Sequence, residues 1–466
     1  MLQKYFGDKP FWRDILRLAL PIALQNLLMS SFSLVDTIMV GQLGDVSLAA
    51  VGMAGQWNWL MNLVLFGFSS GSAVFISQYW GVKDNKRIHG IFGILLLHVT
   101  AVSVIFSCVA LFVPSFVMHL FTNETEVIAT GISYLRIAAF AYIGMALNGA
   151  FCTLLRSTEN VKLPLYINGF AAVLNAILNY VLIFGKFGFP QMGLAGAALA
   201  TAISAWVCPL VLLIIAVRTQ NIMYVKLKEL INFDKSVLLK FYKISSPVII
   251  NESLWGLGTF CYNMIFGHMS YENYAAVTIF RTVEGIAFVF SVGLCNACCV
   301  MVGKSIGAGD IDGGLKTSLR FAVIIPILAG IIGGAMILFR EPIISIFNIT
   351  GAITESTQNG VKNIMFVFGT EYFLRQMPYI FIVGIFRPGG DTFTGMKYDI
   401  ICVWLIALPL TFISGILLQL PFPAVFAVML YSEDLIKVIW CIRHFISKKW
   451  IMPITEEGKK AANQKA

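Results

Sequence analysis

The sequence predicts an all-α integral membrane protein with twelve transmembrane helices, arranged as two parallel-oriented six-helix bundles, a duplicated unit around a central cavity. Three observations predict it. First, 58% of the 466 residues are apolar and only 12% charged, with a mean hydropathy of +0.81. Typical soluble domains carry about twice that charged fraction. Second, twelve apolar stretches reach the roughly 20 residues that a helix needs to cross a bilayer. Third, breakers and loop glycines of the first half recur in the second at a fixed offset. The same composition excludes disorder, which calls for few aromatics and many charges. The 37 Phe and 40 Gly suit membrane helices, which accept glycine at close helix contacts.

In order, the spans fall at 15–40, 48–80, 91–118, 127–154, 163–185 and 193–217, then at 242–268, 275–302, 317–339, 358–386, 398–419 and 422–446. Several exceed the minimum, which implies tilt or ends standing out of the membrane. No polar block of 60 residues remains for a nucleotide-binding or catalytic domain, and the GxxxxGK[ST] phosphate loop is absent. Charges such as Lys4, Lys9 and Asp14 run up to the first span without a small-residue cleavage site, so no cleavable signal is expected. The nine cysteines all lie in apolar stretches. Cys295, Cys298 and Cys299 have no neighbouring His, so they read as small packing residues rather than as a metal site.

Orientation follows from the short loops. Counting cations in the first or last four residues of a span with the adjoining loop, 26 of the 33 Lys and Arg fall on one face, two (Lys186 and Arg340) on the other, and five inside spans. That asymmetry predicts a multi-pass protein of the plasma (inner) membrane with both termini cytoplasmic. It also assigns the net charge of +9 to anionic headgroups; no nucleic-acid partner is needed.

The repeat has an offset of 226: Pro21 pairs with Pro247, Gly41 with Gly267, Gly67 with Gly293, Gly81 with Gly307, and Asp84 with Asp310. After a drift of five residues, Arg156 pairs with Arg387 and Pro190 with Pro421. Six spans per copy is even, so both copies point the same way. The expected organisation is an amino-terminal bundle at 1–217, a cytoplasmic linker at 218–240, a carboxy-terminal bundle at 241–446 and a cytoplasmic tail at 447–466. Where membrane chains are built from such repeats, binding sites lie between the repeats, near the midplane.

Ionisable residues inside spans are costly and mark function by default. The candidates are Asp36, Glu252, Glu284, Glu371, Glu433 and Asp434. Spacing of one helical turn offers structural ion pairs for Glu433 with Lys437, Glu284 with Arg281, and Glu371 with Arg375. Asp36 has no cation nearby in sequence and reads either as a transport carboxylate or as one bonded to backbone at a kink. Asn175 and Asn179 stand four apart on one face of the fifth span, either as helix–helix contacts or as ligands. Pro21 removes a backbone hydrogen bond and marks a helix kink.

The stretch PIALQNLLMSSFSLVDTIMVGQLG followed by SLAAVG, together with LLRSTEN and GIFRPGGDT, resembles the multidrug and toxic compound extrusion (MATE) transporters of bacteria, over nearly the whole chain. The resemblance implies a V-shaped pair of six-helix bundles that exports small amphipathic, often cationic drugs or metabolites. It also implies sodium or proton as the coupling ion, with no other cofactor or metal. Asp36, Asn175, Asn179 and Thr201 match that family's amino-terminal cation site. Tyr134, Asn148 and Glu284 are expected to line the substrate cavity. Glu252 and Glu371 stand where members often carry acids in the seventh and tenth spans, although the tenth is commonly Asp.

The expected mechanism is secondary active efflux by cation antiport, with alternating access and a monomeric protein. A lipid-linked oligosaccharide flippase of the same wider superfamily is the alternative; it should present clustered cavity cations for a pyrophosphate. A remote alternative is an intramembrane enzyme. Neither His98 nor His119 has both a Ser and an Asp at helical spacing, so an enzyme is not expected.

Overall fold

The computed structural model describes residues 5–225, 235–269, 271–347 and 355–464. Twelve long helices carry the described residues: α1 (Lys9–Gly41), α2 (Asp45–Gly81), α3 (Asn85–Phe112), α4 (Thr125–Ser157), α5 (Lys162–Phe184) and α6 (Gly193–Thr219). The second set is α7 (Lys235–Met269), α8 (Tyr271–Gly307), α9 (Ile311–Leu338), α10 (Glu355–Tyr379, continued by wider turns over Ile380–Phe386), α11 (Thr392–Leu417) and α12 (Phe422–Ser447). Among the described residues there is no strand, only one isolated antiparallel bridge between Gly390 and Ile451.

The duplication is written into the helix boundaries. Gly81 and Gly307, Asn85 and Ile311, and Phe112 and Leu338 all bound helices and all stand 226 apart. The caps repeat for the same reason. A short polar side chain before a helix can accept from an otherwise unpaired backbone N–H. Asp84 accepts from the Arg87 amide at 3.1 Å, and Asp310 from the Gly313 amide at 2.9 Å. Phe112 and Leu338, at the equivalent carboxy-terminal ends of α3 and α9, are 75% and 74% exposed, as lipid-facing residues should be.

Nine helices among the described residues are long and apolar enough to cross a membrane. The other three spans are α7, α10 and α12, whose apolar runs are interrupted by Glu252, by Glu371 and Arg375, and by Glu433, Asp434 and Lys437. Polar and charged residues lower the hydropathy of these helices, and the charges fall where the buried chemistry lies.

By contacts the chain forms two compact units, Leu24–Ile249 and Met1–Ala23 with Ile250–Ala466. The boundaries again stand 226 apart and fall just after Pro21 and Pro247. Each unit therefore contains the leading segment of the other repeat's first helix. Equivalent glycines seat those segments. A Cβ at Gly67 would lie 2.7 Å from the Ile249 Cα, and one at Gly293 would lie 2.8 Å from the Ala19 carbonyl oxygen. Only glycine lets the backbones approach this closely.

In the Leu24–Ile249 unit, α4 packs on α2, α3 and α6, with α5 on α6. In the other unit, α10 packs on α8, α9 and α12 around an aromatic core in which Phe280 meets Phe368 at 4.8 Å and Phe426 at 5.5 Å. Pro378 and Pro409 sit beside the wide turns of α10 and α11, where their missing N–H groups loosen the helical ladder.

Of the expected linker, residues 226–234 lie outside the described ones, and from Lys235 the chain is already α7. The tail carries a helix, Glu456–Asn463, and packs on its own unit. Trp450 is fully buried and stacks on Phe445, the Thr455 hydroxyl donates to the Gly307 carbonyl at 2.6 Å, and the Met452 amide donates to the Gly389 carbonyl at 2.7 Å. Gly390 allows that last approach, because its φ of 102° is open to glycine and disfavoured for other residues.

Candidate functional site

In the Leu24–Ile249 unit, three of the four residues matched to a cation site come together. Asn179 is fully buried on α5 and its amide nitrogen donates to Oδ1 of the half-buried Asp36 on α1. The same nitrogen donates to Asn175 Oδ1 at 3.2 Å, one turn away on α5. The carbonyl oxygen of Asn179 is buried and receives no donor. Asp36 makes no ion pair among the described residues. The arrangement is one carboxylate and amide oxygens in a partly enclosed place, which suits a hard monovalent cation, or a proton on the carboxylate alone.

The fourth residue stands apart. Thr201 is half-buried on α6, and its hydroxyl makes no hydrogen bond to the other three. Tyr134 on α4 lies near enough to feel the Asp36 charge, without a hydrogen bond to it. Asn148 belongs elsewhere: its amide donates to Asn168 Oδ1 at 2.8 Å, in an α4–α5 network that includes Cys152.

The second unit holds a different chemistry. Lys437 Nζ lies 2.9 Å from Glu433 Oε1, the neighbour that spacing suggested. It lies equally close to Asp399 Oδ1 on α11, and 3.8 Å from Asp434 Oδ1. The other two spacing pairs are not formed. Glu284 faces Arg375 at 3.8 Å rather than Arg281, which donates to Asn263. Arg375 turns from Glu371 to Glu284 and Asp434, the latter at 3.6 Å. The rule of one helical turn sees only neighbours on the same helix, whereas Arg375 reaches across to α8 and α12. Glu371 is fully buried beside Asp434, and neither of its oxygens receives a donor.

Glu252 is taken up by Arg387, whose Nη2 lies 2.7 Å from its Oε1. Sequence reasoning placed Arg387 with the loop cations, yet its side chain is only 3% exposed. The equivalent Arg156 donates to Gln25 Oε1 at 2.9 Å. Each repeat thus ties the end of its fourth helix to its first helix, with a neutral partner in one copy and a charged one in the other. Asp399 was missed altogether, because it sits at the margin of its span, where an acid reads as a loop residue.

The MatE family profile matches residues 21–181 and 247–413, two segments that begin 226 residues apart, at Pro21 and Pro247. The chain belongs to the MatE family. It is 25% identical over 452 residues to the probable multidrug resistance protein NorM of Thermotoga maritima, covering 94% of this chain and 93% of that one. It is 28% identical over 433 residues to the probable multidrug resistance protein YoeA of Bacillus subtilis, covering 90% and 92%. A crystal structure of a mutant of VcmN, a Vibrio cholerae MATE transporter, aligns with a TM-score of 0.84 at 16% identity, covering 95% of this chain and 98% of that one. A crystal structure of MATE in the bent conformation aligns equally well at 17% identity, covering 99% of both chains. This MatE protein is therefore a multi-pass membrane transporter with the fold that the duplicated sequence predicts.

Proposed function

We propose that this MatE protein exports small amphipathic, often cationic molecules by antiport against sodium or protons, with the coupling ion taken at Asp36, Asn179 and Asn175. The observation that carries the reading is a lone carboxylate bound to a buried amide whose own oxygen has no donor. A proton or a sodium ion gives that cluster the positive charge it lacks. The multidrug resistance names of the relatives support the cargo class.

Antiport requires that ion and cargo favour different states; tight binding to both would move nothing. Asp36 shares α1 with Pro21, 15 residues or about 22 Å away along the helix axis. Ion binding at Asp36 changes the packing of one end of α1, and Pro21 gives that helix a weak point at the other. Alternating access by the bundles 1–217 and 241–446 follows from this coupling, with Tyr134 near the ion and the protein acting as a monomer in the plasma membrane. The flippase reading loses support from the second unit, where Arg375, Arg387 and Lys437 are all engaged by acids.

Ethidium efflux from cells, with sodium and pH gradients imposed separately, tests the proposal. Efflux should follow one gradient and stop when both are collapsed; efflux that persists without either would refute antiport. Topology is checked by cysteines at Ser47 and Asp84 in a cysteine-depleted background. Ser47→Cys should react with impermeant maleimide in intact cells and Asp84→Cys only after permeabilisation. The reverse pattern would overturn cytoplasmic termini.

A further inference from the structure

The ionic cluster of the second unit holds more acid than base. Glu284 of α8, Glu371 of α10, Asp399 of α11, and Glu433 and Asp434 of α12 surround two cations, Arg375 and Lys437. From α7, Asn251 donates to Asp399 Oδ2 at 2.9 Å, and the Tyr262 hydroxyl is buried near the α12 charges without a hydrogen bond. The ammonium of Lys437, on a side chain only 4% exposed, is the point where three carboxylates from two helices converge.

An ordinary buried salt bridge pairs one acid with one base, since each unmatched charge is costly there. Here a single ammonium serves three acids. Two further groups in the cluster lack the partners they call for: Glu371 receives no donor at either oxygen, and neither does the buried Asn251 Oδ1. Oxygen ligands converging on one positive charge, with unmet acceptors around it, are the donor set of a monovalent-cation site.

We propose that Asp399, Glu433 and Asp434 form a monovalent-cation site whose resident cation is the ammonium of Lys437, which keeps external sodium out of the second unit. A tethered ammonium competes at the high effective concentration of an intramolecular group. External sodium, with the same charge and the same preference for oxygen, is outcompeted while the tether is present. Removing the ammonium should turn the cluster into a site for small free cations, whereas a purely structural network would only lose stability.

The experiment measures thermal melting of purified protein in the Asp36→Asn background, so that its outcome does not depend on the first-unit reading. Sodium chloride and methylammonium chloride are compared with choline chloride at equal ionic strength. Asp36→Asn alone should melt alike in all three salts. Adding Lys437→Ala should lower melting in choline and restore it, saturably and by several degrees, in sodium or methylammonium. Adding Asp399→Asn as well should weaken that rescue. Saturable stabilisation of the Asp36→Asn protein by sodium would overturn the proposal, as would a Lys437→Ala deficit that is equal in the three salts. If the alanine variant yields no folded protein, Lys437→Gln is measured in its place. Failure of both to be recovered even when extracted in sodium or methylammonium overturns the proposal too.

Discussion

Asn179 and Asn175 differ in what they hold, and the difference sets a graded prediction. Asn179 is fully buried and donates to the Asp36 carboxylate as well as to Asn175. A hydrogen bond to a charged group contributes about 1.5–3 kcal/mol. Asn179→Ala removes it together with an amide oxygen of the proposed site, so the apparent affinity for the coupling ion should fall about 10- to 150-fold. Asn175 is half-buried and accepts one neutral bond of 3.2 Å. Such a bond contributes about 0.5–1.5 kcal/mol. Asn175→Ala should therefore cost about 2- to 13-fold. The assay is drug efflux titrated against sodium at fixed pH, and against pH without sodium. An Asn175→Ala midpoint shifted as far as that of Asn179→Ala, or an unmoved midpoint in Asn179→Ala, would refute the reasoning.

Other outcomes follow from particular contacts. Gly67→Ala should lower the melting temperature by an amount matching about 1–3 kcal/mol of overpacking against the Ile249 backbone, while Gly149→Ala, with nothing within 4 Å of an added Cβ, should not. Equal melting of the two would contradict the close approach. Glu371→Gln should leave stability unchanged or raised, because Arg375 is engaged by Glu284 and Asp434 instead; a marked loss would place the Glu371 charge in an ion pair after all. In the turn between α10 and α11, burial alone would raise the Asp391 carboxyl, yet bonds from His444 Nε2 at 2.7 Å and the Thr394 amide at 3.0 Å hold it below 3.8. A depressed carboxyl contributes stability above its ordinary value and loses it as pH falls through the lowered one. Asn keeps the cap but removes the charge, so Asp391→Asn should destabilise at neutral pH by about 1 kcal/mol, the difference between hydrogen bonds to a charged and to a neutral acceptor, and should match the unaltered protein in strong acid. A gap between the two that stays constant down to strong acid would exclude the linkage.

The fold was legible because its punctuation repeats. Pro21 and Pro247, Gly67 and Gly293, and Asp84 and Asp310 could be paired from sequence, and in the structure they mark unit boundaries, close packing and caps. The wide turns of α10 and α11 were not foreseen, since a proline marks a lost donor without saying how the ladder closes around it. In the first unit, Asp36 and the Asn175/Asn179 pair were legible because a polar side chain in an apolar helix must find a partner. Thr201 shows the limit: the match to a family site does not supply a hydrogen bond. In the second unit, spacing along one helix found Glu433 with Lys437 and missed Asp399, and it paired Arg375 with Glu371 although the guanidinium reaches Glu284 and Asp434. Those links run between helices, and nothing in the local sequence encodes which helices meet.

The claim at the centre of this account is that Asp36 carries the coupling ion. The measurement is drug movement into proteoliposomes holding purified protein, driven by an imposed sodium or proton gradient alone. Asp36→Asn removes one charge at nearly constant volume. It should abolish gradient-driven accumulation while leaving insertion, melting and downhill drug exchange close to those of the unaltered protein. Accumulation at the unaltered rate by Asp36→Asn would contradict the account, and loss of accumulation together with collapse of melting would show a carboxylate that serves structure instead.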